Sequence, residues 1–187
     1  SDYNLLGEFE HETLGVYYLP GVQVVSESTY FIKVSCPGFN DVTSKTIVPR
    51  APINVDYQMQ FKDDIVSYQI SFQDDAAEVN YYWVSIVQMK KTEYGFNGFS
   101  DINRHICSNN VAVENQSEII GEASICDKFL FFSDQTFNGN AFQINFDQSN
   151  SKEANDTVIS ILNFKSVSED YYKYLITHEA YASHQQD

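Results

Sequence analysis

Val66, Tyr68, Ile70 and Phe72 alternate with Ser67, Gln69 and Ser71. A period of two puts the apolar set on one face and the polar set on the other. Residues 66–72 therefore predict a half-buried β-strand, ended by Gln73-Asp74-Asp75. Tyr81 to Met89 is apolar on both faces, with Tyr82, Val84 and Ile86 opposite Tyr81, Trp83 and Val87. It predicts a central strand covered on both sides, whose Tyr82-Val84-Ile86 face shares one core with the Val66-to-Phe72 face. Nearer the start, Leu14 to Tyr18, Tyr30 to Val34 and Thr46 to Val48 predict short strands, with turns at Pro20-Gly21 and Pro37-Gly38. Pro49 and Pro52 cannot both sit inside a central strand, so a domain boundary is expected there.

Residues 90–128 have no clean period and predict a long excursion, with Tyr94, Phe96 and Phe99 set among Gly95, Asn97 and Gly98. Long loops of this kind are frequent binding sites. Phe129 to Ser133 and Ala141 to Phe146 flank Asn138-Gly139, which predicts a β-hairpin because both residues tolerate positive φ. Residues 157–165 predict another strand. A helix over about 168–183 follows, with Ser168 as N-cap, Glu169 and Asp170 in the first turn, and Val167 and Tyr172 placed as a hydrophobic staple. Its expected apolar face is Tyr171, Tyr174, Leu175, His178, Tyr181 and Ala182.

Composition agrees with β-structure: 13 Tyr and 14 Phe accompany 16 Val and 15 Ile, against 7 Leu and 9 Ala. A net charge of −15 argues against nucleic acid, which needs clustered Lys and Arg, and against docking on an anionic membrane surface. No apolar run approaches the roughly 18 residues of a membrane helix. No signal peptide opens the chain at Ser1, so a mature or trimmed fragment is expected. Cys36, Cys107 and Cys126 show no C-x-x-C spacing. Cys107 and Cys126 could close a disulfide in an oxidising compartment; buried free thiols are the simpler alternative. A zinc site on His105, Cys107 and Cys126 lacks an evident fourth ligand.

Few constellations carry chemistry. Asp63-Asp64 and Asp74-Asp75 bracket one strand and could meet as a carboxylate pair or a calcium site, but solvated turn acids explain them more simply. His11, His105, His178 and His184 form no H-E-x-x-H motif, and neither a G-x-S-x-G elbow nor a glycine-rich phosphate loop occurs. Tyr81, Tyr82, Trp83, Tyr94, Phe96 and Phe99 could be a sugar-stacking platform, yet a β-core uses the same residues. Of these, Tyr94, Phe96 and Phe99 are the candidates for exposure and contact with a partner or ligand. No catalytic residue, cofactor or metal is expected.

Several segments recur in a known order. They are Gly15-Val16-Tyr17, Tyr30-Phe31-Ile32-Lys33-Val34, Ile47-Val48-Pro49, Phe72-Gln73-Asp74-Asp75 with Asn80-Tyr81-Tyr82, and Phe132-Ser133-Asp134 with Phe137-Asn138-Gly139. Val158-Ile159-Ser160-Ile161-Leu162 then leads into Val167-Ser168-Glu169-Asp170-Tyr171-Tyr172-Lys173-Tyr174. In this order the chain resembles, across almost its whole length, a lipoprotein family of the Bacteroidota known as domain of unknown function 4249. The resemblance implies an exported outer-membrane lipoprotein at the cell surface, usually encoded near TonB-dependent outer-membrane receptors. It implies no activity and no catalytic residues. No lipobox cysteine is recognisable, and Cys36 follows Val34-Ser35 inside an expected strand, so the lipid anchor is expected outside this fragment, along with the family's first strands and C-terminal stretch.

The expected fold is all-β and mainly antiparallel. Residues 1–52 would be the remainder of an immunoglobulin-like sandwich, and residues 53–187 a second β-sandwich with one short C-terminal helix. The expected function is a non-catalytic surface module, an accessory of a TonB-dependent receptor. The alternatives are a glycan-binding β-sandwich, favoured by an exposed ring-lined groove, and a surface hydrolase, favoured by two converging carboxylates with raised pKa values.

Overall fold

A computed structural model describes residues 4–13, 16–90, 105–114, 125–149 and 158–183, with backbone alone at 90, 125, 158 and 178–183. The fold is all-β and antiparallel, with one C-terminal helix. The chain divides into two compact units, Ser1–Val48 and Pro49–Asp187. The first holds two separate hairpins. Strand β1 (Glu10–Thr13) pairs with β2 (Val16–Tyr18), and β3 (Thr29–Val34) pairs with β4 (Val42–Ile47). Gly38, at φ +85°, turns the chain between β3 and β4 beside Pro37, as the dipeptide predicts. No side chain among the described residues of this unit is buried.

The second unit is a two-layer sandwich. Five strands form one layer in the order β5 (Ile53–Lys62), β6 (Ile65–Gln73), β11 (Ala141–Ser149), β8 (Ile106–Ser108) and β9 (Ile125–Asp127). Three strands form the other, in the order β10 (Phe129–Ser133), β7 (Tyr81–Lys90) and β12 (Val158–Val167). Alternation decides what lies between them. Val66, Tyr68, Ile70 and Phe72 of β6 meet Tyr82, Val84 and Ile86 of β7 in one buried cluster, joined by Ile144 and Phe146 of β11. Ser67, Gln69 and Ser71 take the other face of β6, in register with Asp147, Asn145 and Gln143 of β11. Burying one Ile or Phe side chain contributes about 1.5–3 kcal/mol, so this interleaved core holds the layers together.

The Asn138-Gly139 turn does not close a hairpin. Strand β10 pairs with β7 and β11 with β6, so the segment between them crosses from one layer to the other. The cause is apolar burial. Phe137 turns inward, 7% exposed, and its ring stacks on Phe142 with centroids 3.8 Å apart. The carbonyl of Asp134 accepts from the N–H groups of Phe137 (2.8 Å) and Asn138 (2.7 Å), coiling the segment tightly. Gly139 sits at φ +74°, where a Cβ would also lie 2.6 Å from the Cβ of Ala76. The left-handed residue that Asn-Gly signals is present, but it serves a layer crossing.

Helix α1 (Glu169–Ser183) starts as its sequence dictates, with the Ser168 hydroxyl oxygen accepting from the N–H of Tyr171 at 3.3 Å. Its docking face differs from the expected one. Tyr172 and Leu175 are buried and Ile176 packs with them, whereas Tyr171 and Tyr174 are exposed and stack on each other. Residues 172, 175 and 176 share a face at i, i+3 and i+4, rotated from the 171–174 face. What rotates it is the outer face of the three-stranded layer, where Phe131, Phe129, Tyr81, Trp83 and Val167 form an apolar bed. The described side chains end before His178, Tyr181 and Ala182.

Candidate functional site

The layers are unequal, and the mismatch leaves an open mouth. On β12, Leu162 and Phe164 face inward over β6, with the Phe164 ring 4.9 Å from Phe72. Strand β5 lies one position further out, in register with β6 through Tyr57↔Ile70, Met59↔Tyr68 and Phe61↔Val66. Its inward set therefore continues the apolar face of β6 but has no strand above it among the described residues. Tyr57 and Phe61 are each 69% exposed, and Val55 and Met59 each 46%. A cleft of about 320 Å³ opens here, lined by Ala51, Pro52, Val55, Tyr57, Ile70, Leu162 and Phe164. Among the described residues β12 pairs with β7 alone, so its outer edge faces the same opening.

The opposite edge of the three-stranded layer is closed. Val113 bridges Phe132 of β10, and the N–H of Glu114 donates to the carbonyl of Phe131 at 3.0 Å. Glu114 then spans edge and helix: its carboxylate accepts from the Ser133 hydroxyl (2.5 Å), the Ser133 N–H (3.2 Å) and the Tyr172 hydroxyl. Burial first, and the Glu114 carboxylate second, push the Tyr172 phenol well above its ordinary value, so it remains a donor.

A second polar cluster sits at the end of the sandwich, where β6, β7 and β10 meet the layer crossing. Asp74, 3% exposed, accepts from the Tyr82 hydroxyl and from the Gly139 N–H at 2.7 Å. Asp134 is fully buried; one oxygen accepts from the Asn80 N–H at 2.8 Å and the other has no hydrogen-bond partner among the described residues. Burial raises the Asp134 pKa above its ordinary 3.8, the Asn80 N–H pulls it back, and the Asp74 charge raises it further. Two converging carboxylates with raised pKa values were the signature expected of a surface hydrolase. Asp74 and Asp134 are both buried and tied into turns by these hydrogen bonds.

The sign of the Asp134 effect is testable. A folded-state pKa above the unfolded one stabilises the protein at low pH, and that stability is withdrawn as pH rises through the folded value. Asp134→Asn keeps an acceptor for Asn80 without a charge to bury. The variant is expected to melt higher than wild type near neutral pH, with the gap closing as pH falls towards 3.8. Melting curves from about pH 3 to about pH 8 check this, and a gap independent of pH would refute it.

The remaining candidates fall as follows. Asp63-Asp64 and Asp74-Asp75 sit at opposite ends of the nine-residue β6, so they do not converge. A strand of that length spans about 30 Å. Asp75 is a surface acid paired with Arg50, but Asp74 is not a solvated turn acid. Cys107 and Cys126 are directly opposite on β8 and β9 and are joined in a disulfide, Cα atoms 4.0 Å apart. Their sulfurs are thereby withdrawn from any zinc site with the exposed His105, and no metal-binding cluster of His, Cys, Asp or Glu occurs among the described residues. Cys36 is free and exposed. Tyr94, Phe96, Phe99 and His184 lie outside the described residues. Strand β5 is absent from the expected strands, although Val55, Tyr57, Met59 and Phe61 alternate with Asp56, Gln58 and Gln60.

The architecture defines a β-sandwich module whose open features, among the described residues, are a sheet edge and an apolar face. The chain belongs to the family described as "Domain of unknown function (DUF4249)", which matches residues 1–186. No curated protein and no solved structure matches it. Among the described residues, no helix is long and apolar enough to cross a membrane.

Proposed function

We infer that the chain is a non-catalytic, cell-surface module of an outer-membrane lipoprotein, carried by a lipid anchor outside residues 1–187, and that it serves as accessory or binding partner of a TonB-dependent outer-membrane receptor. The observation that carries the reading is the uncovered face of Val55, Tyr57, Met59 and Phe61 on a chain of net charge −15. Contiguous exposed apolar side chains beside a strand edge that is open among the described residues suit a protein partner better than a small polar substrate. The acidity supports a surface location, because it repels lipopolysaccharide phosphates and keeps copies apart. The disulfide supports an exported one, since such bonds persist in oxidising compartments. The Tyr94-to-Phe99 segment offers a second contact, with rings set among Gly and Asn.

The test is a pull-down of the tagged full-length protein from its native outer membrane in mild detergent. The expected result is a TonB-dependent barrel at near-equal stoichiometry, with recovery reduced by Phe96→Ala or Phe99→Ala. Recovery of the lipoprotein alone, without cross-linking to any barrel in intact cells, would refute the receptor reading. Turnover of a glycoside, ester or peptide that disappears on changing one residue of this chain would refute the non-catalytic one.

A further inference from the structure

We propose that the mouth between β5 and β12 is a strand-acceptor site: it takes one extended segment of a partner protein, apolar at alternate positions and basic between them, as an added strand on β12. The segment's backbone would pair with the outer edge of β12, and its inward side chains would cover Val55, Tyr57, Met59 and Phe61. The proposal rests on the reading of the chain as a partner-binding module, but not on the identity of the partner.

Three observations specify the occupant. First, β12 lies over β6, so the next strand in its layer falls over β5, where the exposed set stands at the period-two spacing a strand would match. A helix or a flat ligand could fill the cleft but would leave the edge of β12 unpaired. Second, the other edge of this layer is already closed by Val113 and Glu114, and its outer face by Tyr172 and Leu175 of the helix. The β12 side is the layer's remaining open boundary among the described residues. Third, charge favours a basic segment: the whole chain carries −15, and on β5 and its turn Asp56 and Asp63 outnumber Lys62. A basic strand is attracted, whereas a second copy of this chain brings the same negative charge and is repelled. Main-chain pairing supplies affinity and alternate side chains supply register, as in other strand-addition complexes.

The experiment uses the whole chain and a labelled synthetic peptide of about ten residues that alternates Lys with Val and Phe. A Glu-for-Lys counterpart and a scrambled peptide of equal composition serve as controls. Binding is read by anisotropy, and hydrogen exchange is followed by NMR on the free and bound protein. The Lys peptide is expected to bind, more weakly as salt rises, and to protect amides within residues 159–166 that exchange in the free chain. Tyr57→Ser and Phe61→Ser, both at well-exposed positions, should melt like wild type and weaken binding about tenfold each, the effect of about 1.4 kcal/mol. The Glu and scrambled peptides should bind more weakly still. Any of four results overturns the proposal. They are no binding to the folded chain, binding without new protection in β12, edge amides of β12 already protected in the free chain by its own residues, or concentration-dependent self-association that buries Tyr57. A failed receptor pull-down with successful peptide binding removes the receptor and leaves the strand site. The reverse removes the strand site alone.

Discussion

Ile86→Asp is expected to abolish cooperative folding of residues 49–187. Ile86 is 1% exposed at the centre of β7, in the cluster that includes Val66, Tyr68, Ile70, Phe132 and Ile144. Removing its side chain to Ala would alone cost about 2–5 kcal/mol. Adding a carboxylate with no partner costs several kcal/mol more, or forces it to protonate. Together these approach the whole stability of a typical domain, about 5–15 kcal/mol. Tyr68→Asp should behave alike, since Tyr68 is 6% exposed and its ring stacks on Phe146. Two contrasts sharpen the test. Gln58→Asp, on the solvent row of β5, should stay within about 0.5 kcal/mol of wild type. Tyr57→Asp has the same inward parity as Ile86 but stands uncovered, so it too should fold. Circular dichroism and thermal melting of the four variants check these outcomes. A wild-type-like melt for Ile86→Asp would refute the strand assignment, and unfolding by Tyr57→Asp would refute the open mouth.

That contrast marks how far the sequence reaches. Alternation at residues 66–72 and two-sided apolarity at 81–89 reveal both the strands and their shared core, because the physics is local: a pleated chain must sort its side chains by face. The helix start is legible for the same reason, with Ser168 acting on a backbone N–H three residues on. Legibility stops where a distant surface decides. Val55 to Phe61 alternates as cleanly as Val66 to Phe72, and what separates an open face from a buried one is how far the described strands of the opposite layer reach. Asn138-Gly139 announces a left-handed turn but not which sheets it joins; the burial of Phe137 settles that. The helix was rotated by the bed of Phe131 and Trp83, remote in sequence from Tyr172. Asp74 reads as a solvated turn acid, and its burial, like that of Asp134, follows from the layer crossing that encloses both.

Glu114→Ala is expected to release the helix while leaving the sandwich folded. The Glu114 carboxylate is the acceptor that ties three elements: Ser133 on β10, Tyr172 on the helix, and its own segment at the edge of β10. Ser133 is 2% exposed and Tyr172 5%, so both hydroxyls lose their partner in a dry setting. A buried polar group left unpaired costs about 1–3 kcal/mol. Among the described residues the helix's other anchors are apolar or on the surface: Leu175 and Ile176 pack on Phe131 and its neighbours, the Tyr172 ring lies against Tyr81, and the Lys173–Glu169 ion pair is exposed, where such pairs add little. Hydrogen exchange within residues 172–177 should therefore rise by an order of magnitude or more, about 2 kcal/mol of local stability, while amides of β6 and β7 keep their protection. Glu114→Gln retains one acceptor oxygen and should recover part of the loss. Tyr172→Phe removes the donor instead, so adding Glu114→Ala to it should cost less than Glu114→Ala costs alone, the signature of a shared interaction. Unchanged exchange in the helix of Glu114→Ala, or full additivity of the double variant, would show that apolar packing alone holds it. In that case the edge of β10 would be closed by Val113 without help, and the exposed Glu114 would not hold the helix.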